Sequence, residues 1–178
     1  GVTAESMALA EKMPTATYHD LPDWKGHALI ARDEYNRFGL GRKYAKEEIE
    51  AIALSGFNFV RVPLKFNQLF DGADMTQVCS AYLETIDDML NWCAEYGIHV
   101  CFDLHDMPGY TTNGDDSDDI LFWDEESQSY FVGFWQFIAQ RYQDVPSNLL
   151  SFNLLNEPHG NPEHELTDEI YSAVIQKA

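Results

Sequence analysis

The sequence predicts an α/β fold of barrel type, a parallel sheet whose strands alternate with helices and end at a common mouth. Three observations predict it. Strand-like and helix-like segments alternate at intervals of about 40 to 50 residues, as right-handed βαβ crossovers require. The same helix-stop-strand junction occurs at Ala53-Leu54-Ser55-Gly56-Phe57 and again at Ala94-Glu95-Tyr96-Gly97-Ile98. Successive apolar strands end in polar residues, at Arg61, at His105 and at Asn156-Glu157. No Gly-rich fingerprint follows any strand, so a dinucleotide crevice has no support.

Taken in order, residues 4–13 form a short helix ended by Pro14, and a polar linker through Asp20 and Pro22 follows. Residues 1–25 therefore read as an N-terminal helix and linker, and residues 26–178 as the barrel portion. Residues 26–31 are a first strand, followed by a loop through residues 38–42 that carries Gly and Arg. From Lys46 a helix places Ile49, Ile52 and Ala53 on one face and stops at Gly56, where a left-handed residue is needed. The strand at residues 57–62 follows directly. Tyr82, Leu83, Ile86, Met89, Leu90 and Cys93 make the next helical stripe, Gly97 ends it, and residues 99–105 are the third strand. Phe131, Phe134, Trp135, Ile138, Ala139 and Tyr142 mark a third helix, read as core. It leads through Pro146 into an apolar strand at residues 149–155, which ends in Asn156-Glu157-Pro158-His159; a fourth helix starts near Glu163 and runs to the end.

Composition narrows the function. The 178 residues are 45% hydrophobic and 13% aromatic, enough for one domain with a core. Asp and Glu number 30 against 11 Lys and Arg, a formal charge of −19, and such a surface repels nucleic acid and anionic lipid. No apolar run approaches a membrane span, and the residues from Gly1 onward carry no basic or apolar signal pattern, so a signal was either removed or never present. Cys79, Cys93 and Cys101 lack metal-ligand spacing, and the latter two read as small buried hydrophobes. The acidic loop at residues 113–119 fails as an EF-hand, because the sixth position from Asp115 is Ile120 where glycine is required; it reads as a solvated loop. No metal and no cofactor is expected. A metal-dependent hydrolase built on Asp103, His105 and Asp106 is a weaker reading, since no partner pattern occurs elsewhere.

Three motifs in register, Gly56-Phe57-Asn58-Phe59-Val60-Arg61-Val62-Pro63, Phe102-Asp103-Leu104-His105-Asp106-Met107-Pro108-Gly109-Tyr110 and Phe152-Asn153-Leu154-Leu155-Asn156-Glu157-Pro158, resemble glycoside hydrolase family 5, the cellulase and β-mannanase group. The resemblance implies a TIM (β/α)8 barrel, of which this chain supplies the first four βα units, and retaining hydrolysis of a β-linked polysaccharide, above all endo-β-1,4-glucanase activity. It implies Glu157 as general acid/base, Asn156 as the amide that binds the sugar 2-hydroxyl, Arg61 as the residue orienting the nucleophile, and His105 as a wall of the cleavage subsite. Tyr110 and Trp123, on the loop after the third strand, are expected to stack on pyranose faces, with core packing the other reading for Trp123. His159 either lines the mouth or caps the turn. A substrate of this class implies an extracellular, secreted enzyme.

A retaining glycosidase needs one carboxyl that is protonated when substrate arrives and an ionised one about 5 to 5.5 Å away. Apolar surroundings favour the first state and a guanidinium the second. A (β/α)8 domain takes about 250 residues, and the family nucleophile stands on the seventh strand, so it has no counterpart here. The chain is accordingly expected to be a fragment of a longer enzyme, inactive alone, with a missing C-terminal half or a second chain completing the barrel. A self-associating or glycan-binding half-barrel without catalysis is the alternative.

Overall fold

The computed structural model describes residues 1–13, 26–28, 45–72, 75–112 and 119–178. The expected linker, the end of the first strand, the loop at 38–42 and most of the acidic loop lie outside the described residues. The elements are α1 (Ala4–Ala10), β1 (Gly26–Ala28), α2 (Lys46–Leu54), β2 (Phe59–Lys65), α3 (Phe66–Leu69), α4 (Ser80–Tyr96), β3 (His99–Met107), β4 (Tyr110–Thr111), α5 (Glu125–Tyr142), β5 (Leu150–Asn153) and α6 (Asp168–Ile175). One sheet runs β1-β2-β3-β4, and β5 pairs with β3. β1 and β2 are parallel, with Gly26 opposite Phe59 and Ala28 opposite Arg61. Helix crossovers between such strands are the α/β pattern that the sequence predicts. Contacts divide the chain into two compact units, which are described one at a time.

The first unit comprises Gly1–Pro63, Cys79–Phe102 and Asp144–Phe152. Thr3 caps α1 by accepting the Ser6 N–H, and α1 packs on α4. At the start of α2, Glu48 reaches back to accept the Ala45 N–H at 3.0 Å. The α4 stripe is buried as expected, and the helix ends where Gly97 takes φ +68° and the Ile98 N–H closes onto the Cys93 carbonyl. Val60, Val62, Ile98, Val100 and Leu149 fill the core. His99 is buried at the start of β3: its Nδ1–H donates to the Asn148 carbonyl at 2.8 Å and its Nε2 accepts the Ser151 hydroxyl at 2.7 Å. Burial holds its pKa below the usual histidine value, against the opposite pull of that carbonyl. Cys93 is buried and free, and burial pushes its thiol pKa up.

The second unit comprises Leu64–Val78, Asp103–Gln143 and Asn153–Ala178. Phe66, Phe70 and Phe134 form an aromatic core with ring centroids 5.0 to 6.3 Å apart. On α5, Phe131, Phe134, Trp135, Ile138 and Tyr142 are buried as the spacing predicts, whereas Ala139 is exposed. Asp124 caps α5, accepting from the Ser127 N–H and hydroxyl, and these bonds lower its pKa. The Trp135 indole N–H donates to the Leu154 carbonyl at 2.9 Å, tying the end of the β5 segment to the helix.

Several boundaries differ from expectation. β2 starts at Phe59 and continues through Pro63 to Lys65, and β3 extends to Met107 and turns back as β4. That hairpin pairs Asp106 with Thr111 and Met107 with Tyr110, and Gly109 makes its turn at φ +80°. The last helix begins at Asp168, capped by Thr167, because residues 158–167 form a loop closed by an Asn161–His164 bridge.

Candidate active site

The end of β3 and the turn after β5 carry the site, and both lie in the second unit. Alternation along β3 puts Asp103 and His105 on one side. Asp103 is 0% exposed, and its Oδ2 accepts the His105 Nδ1–H at 2.9 Å. The other ring nitrogen, Nε2, then accepts from the Asn156 side-chain amide at 3.4 Å. In this order Nδ1 is the ring's donor and Nε2 its acceptor. The same amide donates to Thr112 Oγ1 at 3.3 Å, and the Asn156 backbone N–H donates to the Leu104 carbonyl. Asn156 is thus buried and held from three directions.

Glu157 follows with its side chain exposed and its backbone left-handed, at φ +44°. A non-glycine residue there is strained by about 1–2 kcal/mol. One phenol serves two consecutive carbonyls: the Tyr110 hydroxyl lies 2.8 Å from the Asn156 oxygen and 2.6 Å from the Glu157 oxygen. His159 closes the turn, with Nδ1 2.8 Å from the Glu157 oxygen and 3.0 Å from the Tyr110 hydroxyl, while its Nε2–H donates to Asp119 Oδ2 at 2.8 Å. Asp119 is 2% exposed; its Oδ1 accepts the Thr111 N–H and its carbonyl accepts from the Asn161 amide.

The structure therefore brings His105 and Asn156 into one hydrogen-bonded set and sets Tyr110 and His159 against the Glu157 backbone. Tyr110 corrects the expectation of a stacking platform. It is 2% exposed, with Phe122 edge-on at 6.4 Å and His159 at 5.2 Å, because the β3–β4 hairpin turns its ring inward. Trp123 is half-buried, tilted by 33° to the His164 ring at 5.1 Å and edge-on to Phe122. Both His159 ring nitrogens meet protein partners, the arrangement of a turn cap. Arg61 belongs to the first unit, half-buried on β2 opposite Ala28.

Sequence reasoning did not single out Thr112, Asn161 or the structural part played by Asp103, and it assigned Asp119 to a solvated loop. Asp119 is instead a buried tether. Its one sequence signal is position, directly before the apolar run Ile120-Leu121-Phe122-Trp123. Asp106, the third member of the metal reading, lies 4.0 Å from Lys65. No group of three or more His, Cys, Asp or Glu able to hold a metal ion is formed among the described residues. No helix among the described residues is long and apolar enough to cross a membrane.

Known proteins resemble this chain in sequence and in fold. The family model for Cellulase (glycosyl hydrolase family 5) matches residues 23–177. Endoglucanase C of Acetivibrio thermocellus is 34% identical over 131 residues, covering 74% of this chain and 36% of its own length. The crystal structure of a glycoside hydrolase superposes with a TM-score of 0.74 at 31% identity, over 86% of this chain and 47% of the other. Endoglucanase Cel5A of Thermotoga maritima, at 24% identity and a TM-score of 0.62 over 85% of this chain and 45% of its own, shares the fold. The chain spans about a third of the length of the curated relative and under half that of the solved structures. With a family model matched along nearly all of its length, this chain belongs to glycosyl hydrolase family 5.

Proposed function

We propose that this chain carries the acid/base side of a retaining β-glucan hydrolase, an endo-β-1,4-glucanase, that acts outside the cell. Glu157 protonates the glycosidic oxygen as the bond breaks and then takes a proton from the water that releases the glycosyl-enzyme. Asn156 and His105 bind hydroxyls of the sugar whose bond is cleaved. Arg61 orients the nucleophilic carboxylate, which lies outside residues 1–178 in the rest of a longer polypeptide that completes the barrel. Trp123 contributes an aromatic wall for the sugar chain.

The observation that supports this reading is the placement of an exposed, backbone-strained glutamate directly after a buried Asn156 that is itself bonded to His105. Strained backbone at a strand end marks residues held for chemistry. The test is hydrolysis of carboxymethyl-cellulose by the full-length polypeptide, by its Glu157→Gln variant and by the 178-residue chain alone. Turnover by the full-length enzyme that falls about a hundredfold or more in Glu157→Gln is expected, with little or none from the short chain. Turnover that survives Glu157→Gln refutes the assignment. A stable dimer of the short chain in sedimentation, without any turnover from the long one, favours a non-catalytic half-barrel instead.

A further inference from the structure

We infer that Tyr110, Asp119 and His159 are positioning residues for hydrolysis, a hydrogen-bonded bracket that sets the direction of the Glu157 side chain by holding its backbone. The inference rests on the reading of Glu157 as the acid/base. The Glu157 side chain is exposed, so the aim of its carboxyl depends on the backbone from which it springs. That backbone is left-handed, which a glutamate leaves readily unless something outside it enforces the conformation. The enforcement is visible. The O–H of one buried phenol is shared between the two consecutive carbonyls of Asn156 and Glu157, and the His159 ring packs beside it, with Nδ1 close to both the phenol and the Glu157 oxygen.

The bracket is anchored at its far end. His159 Nε2–H donates to Asp119, whose carboxylate also takes the Thr111 N–H of β4, and the Asp119 carbonyl holds Asn161 beyond the turn. Tyr110 stands next to Thr111 on the same two-residue strand, so the hairpin, the buried carboxylate and the turn after β5 form one closed loop of bonds. A hydrogen-bonded set anchored on a buried phenol and a buried carboxylate is directional and costly to break, the properties that fix a conformation. The Tyr110 ring and the Asp119 carboxylate are both buried, so neither meets the sugar; they act through the geometry of residue 157.

A misplacement of about 1 Å at a catalytic group costs on the order of a hundredfold in rate. The loss should fall on the step that needs the proton. The experiment compares kcat/KM of the full-length enzyme, Tyr110→Phe, Asp119→Asn and Glu157→Gln on aryl β-cellobiosides, from an unsubstituted phenol to dinitrophenol as leaving group. Phenol departs only with a proton and dinitrophenolate departs without one. Tyr110→Phe and Asp119→Asn should lose about tenfold to a hundredfold on the phenyl substrate and little on the dinitrophenyl one, so that the slope against leaving-group pKa steepens in the sense of Glu157→Gln. Circular dichroism melts identify any variant that fails to fold, and His159→Gln then stands in for it. An equal loss across the series, or no loss in folded variants, overturns the bracket while leaving Glu157 in place. If Glu157→Gln itself shows no leaving-group dependence, the acid/base reading falls and the bracket with it.

Discussion

Replacing Asp103 by asparagine isolates the bond on which the His105 tautomer depends. Asp103 is fully buried and accepts the His105 Nδ1–H at 2.9 Å, and His105 Nε2 in turn accepts from Asn156. A hydrogen bond to a charged acceptor contributes about 1.5–3 kcal/mol and one to a neutral acceptor about 0.5–1.5 kcal/mol. With the amide oxygen turned to the ring, Asp103→Asn keeps the shape and loses the difference, about 1–1.5 kcal/mol. At a urea m value of about 2 kcal/mol/M, the midpoint should fall by about 0.5–0.7 M with the slope unchanged. With the amide NH2 turned to the ring, the imidazole proton moves to Nε2 and opposes the Asn156 NH2, so the loss is larger and the His105–Asn156 bond breaks. Urea titration measures the first quantity, and the 15N shifts of the imidazole report the tautomer directly. A wild-type His105 with its proton on Nε2, or a midpoint unmoved in Asp103→Asn, would refute the order of donors and acceptors assigned here.

Other perturbations follow from the same geometry. Phe134 is 0% exposed among Phe66, Phe70 and Trp135, and Phe134→Ala should cost about 3–5 kcal/mol in urea or thermal unfolding. The folded pKa of His99 lies below its unfolded value, so the unfolded chain takes up the proton first as pH falls through about 6.5. Stability present above that pH is then lost until the lower folded pKa is passed; the urea midpoint should drop across this window and the drop should be absent in His99→Gln. At position 157, Glu157→Gly should be more stable than Glu157→Ala by about 1 kcal/mol, because glycine alone relieves the left-handed backbone. Equal stabilities of the two variants in denaturant would mean that the φ of +44° is not strained.

The strands and long helices were legible because their signals are repeated many times over. The α4 stripe spans seventeen residues and ends at a glycine that must be left-handed, so pattern and stop agree. His105 and Asn156 stood out because each follows an apolar run, where a polar side chain needs a partner, and the structure bonds them to each other. The four-residue α3 and the two-residue β4 were not, since elements so short leave no periodicity. Missing β4 carried a consequence for Tyr110: an aromatic on an assumed loop can stack on a ligand, whereas one on a hairpin strand alternates inward. Asp119 illustrates the same limit in charge. Within a run of aspartates its neighbours suggest solvation, and only the fold reveals that Thr111, His159 and Asn161 all converge on it.

On the reading of Glu157 as the acid/base, the turn after β5 places stability and chemistry in opposition at one residue. Glycine would suit φ +44° at no steric cost, but glycine carries no carboxyl. A glutamate there adds about 1–2 kcal/mol of backbone strain, and the bonds that the Tyr110 O–H shares between the Asn156 and Glu157 carbonyls offset part of that cost. Each of those bonds is made by the backbone of residues 156 and 157 and none by the Glu157 carboxyl. The strained conformation is therefore maintained without using the carboxyl proposed as the acid/base, and residue 157 stays exposed. A turn stabilised through the Glu157 side chain would hold the same backbone and leave no acid to donate.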